Sequence, residues 1–220
     1  MPSEAMWTTA PCASRACRDE IVNHADWGRV PTLAGTHVRL EPLQMSHLAG
    51  LRGAIGDGAI CQLPYARVPD AKGMTGYVQD ALQAQAQGKA LPFVVLDAEG
   101  QVVGSTRYYA LEPQVPALRI GYTWYAPAAQ RTGINTEAKL LLLRHAFERL
   151  GCLRVSFHTS LRNQASRTAI ARLGATQEGV LRNHGRHPDG SPRDTVVFSI
   201  IDTEWQDAKR GLQHRLDSHA

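Results

Sequence analysis

The amino-acid sequence predicts one mixed α/β domain, of the α+β type, in which helices cover a central sheet. Three observations support this fold class. The 220 residues suffice for one large hydrophobic core. The apolar residues recur at strand spacing in some segments and at helix spacing in others. The resulting order is β, α, α, three successive strands, and then α, β, α, β, β.

The first predicted strand lies within residues 30–43, where Val38 and Leu40 alternate with polar residues. Ser46 is predicted to cap a helix that runs to about Ile55. Asp70 is predicted to cap a second helix over residues 71–87, which Gly88 ends. These two helices therefore precede the centre of the sheet.

The next three strands are predicted over residues 91–96, 101–111 and 118–125, with a turn at residues 97–100 between the first two. A long helix is predicted over residues 137–150. Its apolar residues Leu140, Leu143, Phe147 and Leu150 recur at helical spacing. Gly151 follows, where a left-handed cap is expected.

The last third of the chain alternates short strands and helices. The predicted segments are a strand at 153–158, a helix at 163–173 before Gly174, strands at 175–182 and 194–202, and a C-terminal helix from about Glu204. We expect three regions: a flexible extension over residues 1–29, a folded domain over residues 30–205, and a C-terminal helix and tail over residues 206–220.

Composition and charge narrow the classes of function. The chain is 43% hydrophobic and 20% charged, with a formal net charge of +4 and a pI near 9.0, which suits an anionic ligand. The basic residues are scattered, without a stripe that alternates with aromatics, so we expect no nucleic-acid partner. No apolar run is long enough to span a bilayer, and no signal peptide is recognisable, so we expect a cytoplasmic protein that does not bind membranes.

We expect no metal site. The four cysteines, Cys12, Cys17, Cys61 and Cys152, form no paired Cys-x-x-Cys units and are expected to be free thiols. His184 and His187 lie close in sequence but lack a third ligand nearby.

One segment of the sequence is suited to binding an anion. The run Gln130-Arg131-Thr132-Gly133-Ile134-Asn135 lies between a predicted strand and a predicted helix. The start of a helix presents amides without intrahelical partners together with partial positive charge. Gly133 has no Cβ, so a phosphate can come close to the main chain there, and Arg131 adds a full charge. The chain has no Gly-x4-Gly-Lys-Ser/Thr motif and no Gly-x-Gly-x-x-Gly after a strand, which argues against nucleoside triphosphate and dinucleotide sites.

This run resembles the pyrophosphate loop, Gln/Arg-x-x-Gly-x-Gly/Ala, of the GNAT superfamily of acyl-CoA-dependent N-acyltransferases. The flanking phrases Trp124-Tyr125-Ala126-Pro127 and Thr136-Glu137-Ala138-Lys139 are similar to the RimJ/RimL branch. Asn135 departs from the general pattern, although that branch often has Asn there. The resemblance implies a mostly antiparallel sheet with splayed middle strands and helices on both faces.

The resemblance also implies a binding mode for acetyl-CoA as cosubstrate. The amides of residues 130–135 would hold the pyrophosphate. The main chain of Thr123, Trp124 and Tyr125 would bind the pantetheine arm in the gap between the splayed strands.

A second phrase, Asn163-Gln164-Ala165-Ser166, resembles the Asn-x-x-Ser segment of RimL-like enzymes. The resemblance implies that Asn163 contacts pantetheine and that Ser166 lies near the CoA sulfur, where its hydroxyl could protonate the leaving thiolate. Asn163 could equally be a helix N-cap, and Ser166 a capping or solvent-facing residue. Many relatives carry a Tyr seven residues after this Asn, but Ile170 stands there in this chain.

The general base stays open. Some relatives have a Glu at the position of Arg119, and Arg cannot act as a base at neutral pH. A water held by main-chain carbonyls, His158, Glu178 and Asp194 are the alternatives, and His158 could equally be a structural histidine.

The expected function is N-acetyl transfer from acetyl-CoA to a primary amine, by direct attack of the neutral amine on the thioester. The acceptor is a small molecule or a protein N-terminus, in a pocket built from residues 61–68, Trp124 and the final hairpin. The alternative is a non-catalytic acyl-CoA-binding protein of the same fold. A homodimer is compatible with this family.

Overall fold

The computed structural model describes residues 24–218, except for residues 57, 59, 60, 62, 64, 66 and 67. Cys12, Cys17 and most of the predicted N-terminal extension lie outside the described residues. Of the predicted acceptor loop at 61–68, only residues 61, 63, 65 and 68 are described.

The order of elements is the predicted one, with a short extra strand at the start. The strands are β1 Leu33–Ala34, β2 Val38–Pro42, β3 Ala90–Asp97, β4 Val102–Glu112, β5 Ala117–Tyr125, β6 Arg154–Ser160, β7 Thr176–Arg186 and β8 Pro192–Ile201. The α-helices are α1 Leu48–Ala54, α2 Met74–Ala86, α3 Gly133–Arg144, α4 Gln164–Ala171 and α5 Trp205–Asp217. A π-helical turn, His145–Arg149, extends α3.

The strands form a single eight-stranded sheet in the order β1-β2-β3-β4-β5-β6-β8-β7. Every neighbouring pair is antiparallel except β5 and β6, which run parallel. The predicted mixed α/β class and the mostly antiparallel sheet are therefore confirmed.

Helices cover both faces of the sheet, because successive side chains of a strand point to opposite faces. In β3, Phe93 and Val95 belong to the larger core, together with residues of α3 and α5. Val94 and Leu96 belong to a second core, together with residues of α1 and α2. We call these faces the α3 face and the α2 face.

Two predicted helix caps are wrong. Ser46 lies inside a 3-10 turn, Met45–His47, and α1 begins only at Leu48 without a side-chain cap. Asp70 Oδ1 accepts a hydrogen bond from the amide of Gly73 at 2.8 Å, but the turn that it closes precedes α2. Both side chains bind a local turn, and the helix follows one turn later.

The N-terminal side of the domain begins earlier than the composition indicates. Residues His24–Gly28 form a 3-10 helix, and Trp27 is only 3% exposed within the larger core. At the other end of the chain, Trp205, Leu212 and Leu216 of α5 are buried in the same core.

Glu137 ties the start of α3 to the loop between β1 and β2. Its carboxylate accepts hydrogen bonds from the amides of Thr36, His37 and Val38 at 2.8, 2.6 and 2.9 Å. A Cβ on Gly35 would lie 2.3 Å from the Glu137 carboxyl carbon, so only glycine fits there. These contacts fix where α3 begins relative to the sheet.

Candidate functional site

A gap opens in the middle of the sheet between β5 and β6. The two strands pair only at residues 117–119 and 154–156, near their amino ends. Beyond Arg119, the main-chain edge of β5 that faces β6 has no strand partner among the described strands. The splayed middle strands that the resemblance implies are therefore present.

A bulge in β5 accompanies this divergence. The pairing of β4 with β5 shifts register between Ser105 and Arg107, and Tyr122 has a left-handed backbone with φ of 52°. The strands approach closely beside the bulge, where a Cβ on Gly104 would lie 2.2 Å from the carbonyl oxygen of Trp124. Bulges are often found next to active sites, where they redirect side chains.

The predicted pantetheine residues lie along this edge. The Trp124 side chain is buried in the α2-face core, and the Tyr125 side chain is buried in the α3-face core. Thr123 is half-buried. Because the side chains of Trp124 and Tyr125 are packed inside the two cores, main-chain groups are what β5 can offer to a ligand in the gap.

The predicted phosphate loop follows β5 directly. Gln130 Nε2 donates a hydrogen bond to the carbonyl of Tyr125 at 3.1 Å, which holds the loop against the end of the strand. Thr132 Oγ1 donates to the carbonyl of Ala129 at 2.8 Å. Arg131 has a φ of 62°, and its side chain is exposed.

The helix begins earlier than predicted, at Gly133 instead of Glu137. Gly133, Ile134 and Asn135 therefore form its first turn, whose amides lack intrahelical partners. Thr132 Oγ1 accepts from the Ile134 amide at a long 3.3 Å. The Ile134 side chain is buried, so this residue can meet a ligand only through its main chain. This geometry fits the diphosphate of CoA, since amides and helix dipole both favour an anion.

A side chain at position 133 would meet a neighbour from another part of the chain. A Cβ on Gly133 would lie 3.2 Å from the imidazole ring of His37. The side chain would therefore push against the loop that Glu137 holds.

The second predicted phrase begins α4. Asn163 Oδ1 accepts from the Ser166 amide at 2.9 Å, so Asn163 is the N-cap of this helix. Ser166 is half-buried in the first turn, and Ile170 is buried in the core. Residues 163–166 follow β6, and the phosphate loop follows the parallel strand β5. Both segments therefore lie at the carboxyl edge of neighbouring parallel strands, where ligands bind in open α/β sheets.

The sequence did not point to Lys139, a buried charged residue that contacts β5. It is 6% exposed, and its Nζ donates to Thr123 Oγ1 at 2.8 Å. Thr123 Oγ1 also lies 2.8 Å from Thr106 Oγ1. Burial lowers the pKa of Lys139 to about 7. The sequence signal that could have indicated its burial is its position directly before four leucines in the helix.

The burial of Lys139 predicts a pH dependence of stability. Because its pKa falls from 10.5 to about 7 on folding, the unfolded chain binds more protons above pH 7. The free energy of unfolding should therefore rise with pH between 7 and 8.5, by up to about 1.4 kcal/mol per pH unit. Urea denaturation of wild type and of Lys139→Met at pH 7.0 and 8.5 measures this, and the variant should lose the rise. An equal rise in both proteins would show that Lys139 is not its source.

The range from pH 7 to 8.5 lies outside the ranges in which His145 and Cys152, two other groups with shifted pKa values, change the stability. Burial lowers the pKa of His145 to about 4, so its contribution to stability rises from about pH 4 to 6.5 and then stays constant. Burial raises the pKa of the Cys152 thiol to about 12, so its contribution is lost only as pH rises above 9.

The three candidate bases have different surroundings. Burial, followed by the charges of Arg119, His184, Arg154 and Arg193, lowers the pKa of His158 to about 4. Burial raises the pKa of Glu178, but hydrogen bonds from Ser199 and Arg154 outweigh it, so the pKa lies below its usual value. These two donors bind the two Glu178 oxygens at 2.7 and 2.6 Å.

Asp194 Oδ1 accepts from the amide of Asn183 at 2.7 Å. It therefore holds the hairpin together, and its carboxylate is already in use for that purpose.

Metal ligands are not grouped in the part of the chain that the structure describes: no three His, Cys, Asp or Glu side chains could together hold an ion. His184 Nδ1 instead lies 3.2 Å from Thr195 Oγ1. None of the described helices is both long and apolar enough to cross a bilayer.

Known proteins share this fold and sequence pattern. A family model for the acetyltransferase (GNAT) domain matches residues 37–176. YdaF of Bacillus subtilis, named as a proposed ribosomal N-acetyltransferase, is 32% identical over 111 residues, which are 50% of this chain and 60% of that protein. The match thus spans less than two thirds of the relative's length.

Two solved structures extend the comparison. A protein from T. thermophilus assigned as an acetyltransferase is 36% identical, with a TM-score of 0.74 over 84% of this chain and 96% of that chain. Mycobacterium smegmatis RimJ, in complex with CoA-disulfide, has a TM-score of 0.71 over 86% of this chain and 96% of that chain. At 23% identity, the likeness to RimJ shows the fold alone. The sheet with its central gap, the helix start beside it and the family match lead to one conclusion: the chain belongs to the GNAT acetyltransferase family, with RimJ and RimL among its structural neighbours.

Proposed function

We propose that this protein transfers an acetyl group from acetyl-CoA to a primary amine by direct attack. The observation that carries the proposal is the gap between β5 and β6, with the first turn of α3 at its carboxyl edge. That arrangement offers an extended main-chain edge for an amide-containing arm and a helix start for a diphosphate. CoA carries both groups in that order.

Different segments of the chain bind different parts of acetyl-CoA. The amides of Gly133 and Asn135, with the exposed Arg131, hold the pyrophosphate. The main chain of residues 123–125 binds the pantetheine arm. Asn163 fixes the start of α4, which presents Ser166 to the sulfur end of the arm.

The reaction needs a neutral amine, stabilisation of the tetrahedral oxyanion and a proton for the leaving thiolate. The amine nitrogen forms a bond to the carbonyl carbon, and the carbon–sulfur bond then breaks. Ser166 Oγ donates the proton to the thiolate, and solvent restores it, since Ser166 is half-exposed.

A water held by main-chain carbonyls at the edge of β5 removes the proton from the amine. This route is favoured because Arg119 cannot accept a proton and the carboxylates of Glu178 and Asp194 are already bound by other groups. The low pKa of His158 makes it a weak base.

A direct test follows free thiol release from acetyl-CoA in the presence of a panel of primary amines. The panel contains short peptides with free N-termini, free amino acids and polyamines. We expect amine-dependent release and a mass increase of the acceptor by one acetyl group.

The rival function is acyl-CoA binding without turnover, which Ile170 and Arg119 favour because they stand where relatives carry catalytic residues. Saturable CoA binding in calorimetry, with no transfer to any amine of the panel, would establish that rival.

Replacing Ser166 with alanine should lower turnover by about 10²-fold, in line with the loss of one positioned proton donor. The amide that Asn163 binds is retained in the variant, so α4 keeps its cap. The Kd for CoA should change by less than about threefold, because the lost hydroxyl acts on the leaving group. Steady-state kinetics and calorimetry on the same preparation make the comparison, and an unaltered kcat would remove Ser166 from the mechanism.

A further inference from the structure

Arg107 on β4 is a buried cation that has no counter-ion among the described residues. It is 6% exposed, and its Nε has no hydrogen-bond partner within the described residues. No carboxylate of the described residues forms an ion pair with it. A buried arginine without a partner is costly, so a missing anionic partner is the physical expectation.

Two tyrosine rings hold the guanidinium in place. Its central carbon lies 5.0 Å from the ring centre of Tyr77 and 4.0 Å from that of Tyr122. The Tyr77 hydroxyl lies within donating distance of two acceptors, Ser105 Oγ at 3.3 Å and the carbonyl oxygen of Tyr122 at 3.4 Å. The cation is therefore kept in a fixed orientation before any ligand arrives.

Tyr122 connects this cation to the gap in the sheet. It is the left-handed residue at the β5 bulge, three residues beyond the last pairing of β5 with β6. Its side chain is 45% exposed. A bulky residue with positive φ is strained, and such strain is concentrated at functional sites.

A second buried donor lies on the same face of the sheet. Trp124 Nε1 has no hydrogen-bond partner within the described residues, and its ring belongs to the α2-face core. Cys61 and Val68, the ends of the predicted acceptor loop, pack against that core. Trp124 and the two described ends of the predicted acceptor loop thus belong to the same core.

The neighbouring surface of the α2 face is also positive. Leu118 and Ile120 point into the α3-face core, so Arg119 between them points to the α2 face. The positive charges of Arg119 and Arg193 act on His158 in the same direction, although burial is the larger cause of its lowered pKa. The charge of Arg154 is largely balanced by its ion pair with Glu178 at 2.6 Å. The remaining positive charge disfavours a cationic acceptor such as a polyamine.

We propose that Arg107, Tyr77, Tyr122 and Trp124, here called the Arg107 cluster, bind a carboxylate of the amine acceptor. The inference rests on the proposed acetyl transfer and names its substrate class: primary amines that carry a carboxylate close to the reacting nitrogen. Two sources share this chemistry, the α-carboxylate of a free amino acid and the acidic side chain of an N-terminal Asp or Glu in a peptide.

The test compares matched acceptors in acetyl-CoA turnover. The peptide arm uses Glu-Ala-Ala-amide against Gln-Ala-Ala-amide, and the amino-acid arm uses alanine against alaninamide. The quantity of interest is the ratio of kcat/KM for acid over amide, compared between wild type and Arg107→Met, so that differences in intrinsic amine reactivity cancel. Lys89→Met, which removes an exposed cation after α2, is the matched control.

In at least one arm, the ratio should fall about tenfold or more in Arg107→Met and stay within about twofold in Lys89→Met, as expected for a lost charge-assisted contact. The arm that responds identifies the source of the carboxylate. Arg107→Lys keeps the charge but loses Nε and the planar fork, so it should lie between wild type and Arg107→Met. If the acid-to-amide ratio of kcat/KM is the same in wild type and Arg107→Met in both arms, the inference is overturned. The proposed acetyl transfer would not be affected by that result.

A binding measurement separates the inference from the proposed function. Acetylated Glu-Ala-Ala-amide and acetylated alanine, each against its amide counterpart, are titrated into the CoA-saturated protein. Arg107-dependent preference for the acid supports the inference even if no amine is turned over. The inference would be overturned if the protein bound acid and amide equally, or bound neither, and if the acid-to-amide ratio of kcat/KM were also the same in wild type and Arg107→Met.

Discussion

Replacing Gly133 with valine is expected to weaken CoA binding by about 100-fold, measured by calorimetry. The valine Cβ would meet the His37 ring at 3.2 Å, and its methyl groups would add to that contact. The His37 main chain cannot withdraw freely, because its amide donates to the Glu137 carboxylate at 2.6 Å. The valine therefore pushes the His37 ring and the first turn of α3 apart. A loss of two charge-assisted hydrogen bonds to the diphosphate, each about 1.5 kcal/mol, gives the quoted factor.

Gly133→Ala provides the graded control. Its single methyl group needs a displacement of a few tenths of an ångström, so its Kd should rise by less than about tenfold. Thermal unfolding of both variants checks that they are folded at the temperature of the titration. A folded Gly133→Val protein with wild-type affinity would show that the diphosphate does not bind at this helix start.

Replacing Glu137 with glutamine is expected to lower the free energy of unfolding by about 1–3 kcal/mol. The carboxylate accepts from three amides, and a glutamine side chain turns one of its two acceptor atoms into a donor. At least one of these buried or partly buried amides then faces another N–H group, and each such unsatisfied donor costs about 1–3 kcal/mol. Urea denaturation of the purified variant measures the loss.

Glu99→Gln, in the exposed turn between β3 and β4, is the matched control and should change stability by less than about 0.5 kcal/mol. If Glu137→Gln were as stable as this control, the carboxylate would not hold the β1–β2 loop. CoA affinity should fall along with stability, since the same contacts fix His37 beside Gly133.

Local sequence signals predicted the order of the elements because periodicity is a local property. The left-handed caps at Gly88, Gly151 and Gly174 show this well, since all three glycines have positive φ. The start of α3 was placed four residues late. Gly133 and Asn135 are poor helix formers, and the turn forms because Glu137 and Ile134 are anchored from outside the segment.

The candidate phosphate loop at residues 130–135 could be recognised for the same reason, since its six residues are contiguous and resemble a known pattern. Lys139 and Arg107 were not. Lys139 owes its low pKa to burial against Thr123, which comes 16 residues earlier in the chain. Arg107 is sandwiched between Tyr77 and Tyr122, which no local pattern joins. The low pKa of Lys139 and the fixed orientation of Arg107 therefore depend on tertiary packing.

The position of the diphosphate is tested most directly by a ¹⁵N–¹H NMR titration of the protein with CoA. If the diphosphate binds at this helix start, the amide signals of Gly133 and Asn135 should shift most, in fast or slow exchange, and reach saturation together. CoA binding that leaves these two amide signals unmoved, while signals elsewhere respond, would rule this position out. Residues 180–184, which line a cavity of about 680 Å³ on β7, are an example of such a site elsewhere.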